Sequence, residues 1–134
     1  MVEAPEELRE VVDAVKEFFV GLGLKPVIDK PQVDADGSLF VTIEFGDARL
    51  SEEDFERFVD MLDSLGFYHA NGAENQVSGF LMYKRWLVYD EYRHSSTGVT
   101  VFIKYFMTKS VKTTVDLDYI IVRVDVPRQE VVAP

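Results

Sequence analysis

A chain of 134 residues with 47% hydrophobic and 28% charged side chains has enough apolar surface to bury one core, so a single folded domain over residues 1–134 is expected and a disordered chain is excluded. The absence of cysteine excludes a disulfide framework, a thiolate metal site and a cysteine nucleophile together. A formal net charge of −10 speaks against duplex DNA as a partner.

The first segment, Met1 to Glu7, is acidic where a signal peptide would be basic, and no apolar run approaches the roughly 20 residues that span a bilayer. A cytoplasmic protein without a membrane partner is therefore expected. From Glu6 to Leu22, Leu8, Val11, Val12, Val15, Phe18, Phe19 and Leu22 recur at three- and four-residue steps, which predicts an amphipathic helix. Pro5 suits its first turn, Glu6 and Glu7 complement the positive end of its dipole, and Gly21 and Gly23 supply a stop.

Lys25–Val33 and Ser38–Phe45 flank Asp34-Ala35-Asp36-Gly37, a turn composition that predicts a hairpin. Its second arm alternates Leu39, Val41, Ile43 and Phe45 with Phe40, Thr42 and Glu44, giving one buried face, while Pro26 and Pro31 place the first arm at an edge. A second helix is predicted from Ser51 to Gly66, with Ser51 and Asp54 in a capping-box arrangement and a buried stripe of Phe55, Phe58, Val59, Leu62 and Leu65. Its other face carries Glu52, Glu53, Glu56, Asp60 and Asp63, a surface for solvent or for a basic protein partner.

Beyond Gly66 the chain is rich in aromatic and β-branched residues. Strands are predicted at Phe80–Tyr92, Val99–Thr108 and Val115–Val126, with a short one at Phe67–Ala70. Residues 79–92 also fit a helical period, and aromatic content decides for strand. The connections His94–Gly98 and Lys109–Thr114 permit hairpins and not a crossover helix. Residues 127–134 are expected to fray.

The order helix, hairpin, helix, meander predicts an α+β fold with two helices packed on one face of a curved, mainly antiparallel sheet. This element order resembles that of the cystatin-type cone folds, including the nuclear-transport-factor-like group. The resemblance implies helices over a curved meander and dimers through the sheet, and it carries no site residues. Independently, Val99, Val101, Ile103, Tyr105 and Met107 oppose Phe102 and Phe106, so the long strand is apolar on both faces and helices can cover only one. A homodimer through the sheet is expected, with Phe102, Phe106, Ile120 and Val122 as interface residues.

Charge is unevenly placed. Residues 1–72 hold 17 acids and 6 bases, while residues 73–134 hold 7 acids and 8 bases. In the basic part, Tyr83, Lys84, Arg85, Trp86, Tyr89, Arg93, Lys104 and Tyr105 are candidates for ligand or single-stranded nucleic-acid binding, since aromatic side chains on a basic sheet stack bases. Asp90, Tyr92 and His94 alternate along a strand and are the candidate catalytic group, with Asp90 orienting His94 as a general base.

His69 and His94 are the only histidines, and nothing in the spacing brings them together with carboxylates such as Asp90 or Glu74, so no metal site is expected. Asp34-Ala35-Asp36-Gly37 fails as a calcium loop because its twelfth position is Phe45. Gly21-Leu22-Gly23 follows a helix, whereas phosphate-binding loops precede one, so no nucleotide cofactor is expected. The sparse asparagine and glutamine match the composition favoured at high growth temperature. The reading that results is a small non-catalytic binding protein; the alternatives are a ligand-binding or hydrolase- or isomerase-like enzyme with a pocket in the curved sheet near Asp90 and His94, and a single-strand nucleic-acid binder through residues 79–113.

Overall fold

The computed structural model describes residues 5–80, 83–110 and 115–127, so the expected frayed tail beyond Pro127 lies outside the described residues. Helix α1 spans Glu6–Gly21 and buries Leu8, Val12, Val15 and Phe19 on one stripe. Pro5 begins it with φ −58°, and its carbonyl accepts the Arg9 N–H at 3.1 Å. Proline's fixed φ and missing donor cost nothing at a helix start.

Helix α2 spans Glu52–Ser64 and is capped by Ser51, whose Oγ accepts the Asp54 N–H at 3.1 Å. That bond satisfies one of the donors a helix start leaves orphaned. Phe58 and Leu62 are buried, and Phe55 and Val59 pack at the margin. Leu65, expected in the same stripe, is instead 41% exposed. It is the C-cap, past the last helical turn, so the helical period no longer aims its side chain.

The strands are β1 (Val27–Ile28), β2 (Gln32–Val33), β3 (Leu39–Glu44), β4 (Leu50–Ser51), β5 (Phe67–Phe80), β6 (Tyr83–His94), β7 (Thr100–Ser110) and β8 (Val115–Val126). They form one curved antiparallel sheet in the order β1-β3-β8-β7-β6-β5, with β2 also on β3 and β4 also on β8. The turn at residues 34–37 closes as its composition requires, with Gly37 at φ +86° donating to the Asp34 carbonyl at 3.0 Å. Both helices lie over one sheet face, α1 against β3 and β8 and α2 against β4, β5 and β8. The fold is therefore α+β, two helices on a curved antiparallel sheet.

Under the helices, Phe19 sits 4.2 Å from Phe45 and 4.9 Å from Phe58, ring centroid to centroid. Ile43, Val101, Ile103, Ile120, Val122 and Val124 close the layer from the sheet side. Each such side chain contributes roughly 1.5–3 kcal/mol by leaving water.

Two further features, both in the sheet, depart from the sequence expectation. The short strand at Phe67–Ala70 is in fact the 14-residue β5, which pairs with β6 along its length and shifts register between His69 and Asn71 and between Gln76 and Ser78. Asn71 to Gln76 have low strand propensity, and pairing to β6 overrides it. Residues 83–92 are strand, not helix, but the strand begins at Tyr83 because Phe80 belongs to β5.

The second departure is a bulge in β8. Lys104 pairs with Ile121 and Phe106 with Asp118, so one extra residue stands on β8, where Tyr119 takes φ +50°. The bulge lets Leu117 and Ile120 both point under the helices while Asp118 and Tyr119 both point away. Ile120 and Val122, expected at a dimer interface beside Phe102 and Phe106, are consequently core residues, 1% and 0% exposed. The residues of β8 that stand opposite Phe102 and Lys104 on the helix-free face are Arg123 and Ile121.

Candidate functional site

Strand alternation sorts the candidate residues onto two faces. Lys84, Trp86, Asp90, Tyr92 and Tyr105 share the side on which Val88, Ile103 and Val101 enter the core, whereas Arg85, Tyr89, Arg93, Phe102, Lys104 and Phe106 share the helix-free side. The basic aromatic segment is thus split, and does not form the single stacking surface expected for it. Lys109 lies over Trp86 at 5.3 Å on one side, and Arg85 over Phe106 at 4.5 Å on the other.

The expected Asp90–His94 pairing is not made. His94 Nε2 donates to the Leu65 carbonyl at 2.9 Å, which leaves Nδ1 to accept the Ser96 and Thr97 N–H groups at 3.2 and 3.1 Å. These partners set Nε2 as the donor and Nδ1 as the acceptor, and join the end of α2 to the β6–β7 turn. Gly66, at φ +96°, brings its backbone so close that a Cβ there would stand 2.8 Å from His94 Nε2. His94 is a structural clasp.

Asp90 instead holds two other groups. Its Oδ1 lies 3.0 Å from His69 Nε2, and its Oδ2 accepts the Tyr105 hydroxyl at 3.0 Å. The first register shift in β5 aims His69 at this carboxylate, and Gly72 makes room for it, since a Cβ there would meet Asp90 Oδ1 at 3.1 Å and His69 at 3.2 Å. Burial, reinforced by the Asp90 charge, pushes the Tyr92 hydroxyl up to about 12 and raises that of Tyr105 further still. Both tyrosines are thus held neutral, Tyr105 donating to Asp90, and are unsuited to act as bases near neutral pH. Among the described residues, no group of three or more histidines, cysteines or carboxylates is placed to hold a metal ion.

The helix-free face is organised differently. Rows of cross-strand neighbours run Thr42, Arg123, Phe102, Glu91, Asn71 and then Glu44, Ile121, Lys104, Tyr89, Ala73. Between these two rows lies an open depression of about 370 Å³ walled by Tyr89, Phe102, Lys104, Ile121 and Arg123. Gly72, Asp90 and Ile103 border it through their main chain, because strand alternation sends their side chains to the other face.

Among the described residues, each arginine of this face is neutralised. Arg123 binds Asp125 at 2.7 Å and Asp34 at 2.6 Å while lying 3.8 Å from the Phe40 ring centroid, Arg85 binds Asp118 at 3.1 Å, and Arg93 binds Glu91 at 3.1 Å. The hydrogen bond from Arg123 holds the Asp34 carboxyl below its ordinary range. Arg93 and Glu91 pair along their own strand. Lys104 has no carboxylate within ion-pair distance among the described residues, and its ammonium stands 5.8 Å from the Tyr89 ring centroid.

Sequence reasoning found Tyr89, Lys104 and Phe102 but missed Ile121 and Arg123. A signal existed: the apolar positions Leu117, Ile120, Val122 and Val124 break their two-residue period once, with a step of three, which marks a bulge. Comparison with protein-family models, with curated proteins and with solved structures found no match.

Proposed function

We propose that this chain is a non-catalytic binding protein whose working surface is the helix-free face of the sheet, and that a second copy of the chain is its partner there. The observation that carries this reading is the contrast in charge. Five acids on α1 and six on α2 make the helix side strongly negative, whereas every described arginine of the helix-free face is paired and Tyr89, Phe102 and Ile121 lie between the pairs. Two copies of a chain of net charge −10 repel each other most through their helices and least through this face.

Apolar side chains left on a sheet face are the usual sign of a partner. A two-fold arrangement would bring the Phe102 rows together, with ion pairs at the rim and aromatic side chains in the middle, the ordinary anatomy of an interface. Light scattering across a concentration series is the test. A wild-type dimer that becomes a folded monomer in Phe102→Glu supports the reading, and a wild-type monomer at every concentration overturns it.

A further inference from the structure

The depression in the helix-free face has a chemistry of its own. It is apolar on its walls, its volume of about 370 Å³ falls in the range of small-molecule sites, and it holds one cation, Lys104, that no carboxylate among the described residues neutralises. From these three features we infer that the depression around Lys104 is a binding site for an amphiphilic monoanion, a flat or chain-like apolar body ending in a single carboxylate or sulfonate.

Each part of that description comes from a named group. Phe102 and Ile121, on adjacent strands, offer apolar surface to the body of the ligand, and Tyr89 adds a ring face beside the Lys104 ammonium. Lys104 supplies the counter-charge, and a lysine ammonium accepts an anion as a point charge without demanding bidentate geometry. Arg123 and Glu91 also line the depression, but both are held in ion pairs, so they fix its shape and leave its charge to Lys104.

One negative charge is the number that fits. A second anionic group would meet Glu91 and the paired Asp125, and a polyanion would meet the field of a chain at −10. Nucleic acid is disfavoured on the same ground. An uncharged apolar ligand would leave Lys104 beside it without a partner and would bind less tightly.

The inference rests on the helix-free face being the working surface. Phe102 and Ile121 cannot be covered by a second copy and by a ligand at once, so the monoanion binds the separated chain.

The test uses two fluorescent probes with the same ring system, 8-anilinonaphthalene-1-sulfonate and the uncharged N-phenyl-1-naphthylamine, titrated into the full chain at a concentration where light scattering shows monomer. The expected result is that wild type binds the sulfonate about tenfold more tightly than the neutral probe, the size of one charge-assisted contact at a half-exposed site. Lys104→Gln should abolish that preference while leaving the neutral probe's affinity within about twofold.

Equal affinity for the two probes in wild type, a preference that survives in Lys104→Gln, or binding of neither probe would each overturn the monoanion site. Phe102→Ala separates this failure from that of the underlying reading. If the neutral probe weakens in Phe102→Ala but no charge preference exists, the face binds and the anion assignment alone is wrong. If both probes bind Phe102→Ala as they bind wild type, they sit elsewhere and the ligand assignment falls with the face.

Discussion

The two faces of strand β7 lie a side chain apart and obey different rules. Val101, Ile103 and Tyr105 point under the helices and are at most 6% exposed, while Phe102 and Lys104, their immediate neighbours, point to the helix-free side. The covered face is stabilised by excluding water from close-packed apolar side chains, so its energy depends on volume. The open face is stabilised by pairing charges over aromatic rings, so its energy is small in the isolated chain and becomes large only when something covers it. A side chain's apolar character alone therefore does not reveal which role it has.

The largest way to break this contrast is to empty the covered face. Phe58→Ala, which removes a ring packed against Phe18, Phe19 and Phe55, should cost about 3–5 kcal/mol in urea unfolding, while Phe102→Ala, measured on the dilute monomer, should cost less than about 1 kcal/mol. Similar losses in both variants would mean that the open face is packed as tightly as the core.

Next in size is the clasp at the end of α2. Gly66→Ala places a Cβ against a His94 ring pinned by three partners and forces an L side chain to φ +96°, for a loss of about 2 kcal/mol. Adding His94→Ala should give less than additive destabilisation, because the steric clash is then gone while the backbone cost remains.

Tyr92 sharpens the comparison through pH. Its hydroxyl is neutral in the fold to about pH 12, chiefly because burial opposes the phenolate, whereas an unfolded tyrosine ionises near pH 10. The stabilisation is therefore fully present below about pH 10 and is lost as pH rises toward 12, on the order of 2 kcal/mol in total. Tyr92→Phe should flatten this part of the alkaline unfolding profile; an unchanged slope would show that Tyr92 is not the group that titrates.

The smallest effect is at the bulge. Tyr119 occupies the left-handed region at φ +50° on the open face, a conformation that asparagine tolerates better. Tyr119→Asn should be stabilising by about 0.5 kcal/mol, the backbone gain outweighing a loose ring contact with Phe106 at 6.2 Å. A clear loss of stability would assign the ring a packing role.

Both helices and the first hairpin were legible because their signals are local. Ser51, Gly66, Pro5 and Gly37 act within four residues of themselves, and the three- and four-residue apolar steps are a property of one segment. β5 was mostly illegible because Asn71 to Gln76 are strand only by virtue of the ladder that β6 offers them. The candidate site was legible in composition and illegible in assembly. Tyr89, Phe102 and Lys104 stood out as types, but Asp90 took its partner from His69, 21 residues away, and Arg123 took Asp34 from 89 residues away.

The sequence by itself determined the α+β class, the helix boundaries, the hairpin turn and the presence of one strand apolar on both sides, since periodicity, capping and turn chemistry are written in neighbouring residues. Only the tertiary structure decided which face of β8 each side chain joined, because a single bulged residue at Tyr119 reverses the alternation beyond it and moves Ile120 and Val122 from the open face to the core. It also decided which cation was left over. Neutralisation of Arg85, Arg93 and Arg123 depends on carboxylates delivered by other residues of the sheet and by the hairpin turn, and Lys104 is distinguished from them by the absence of such a partner among the described residues.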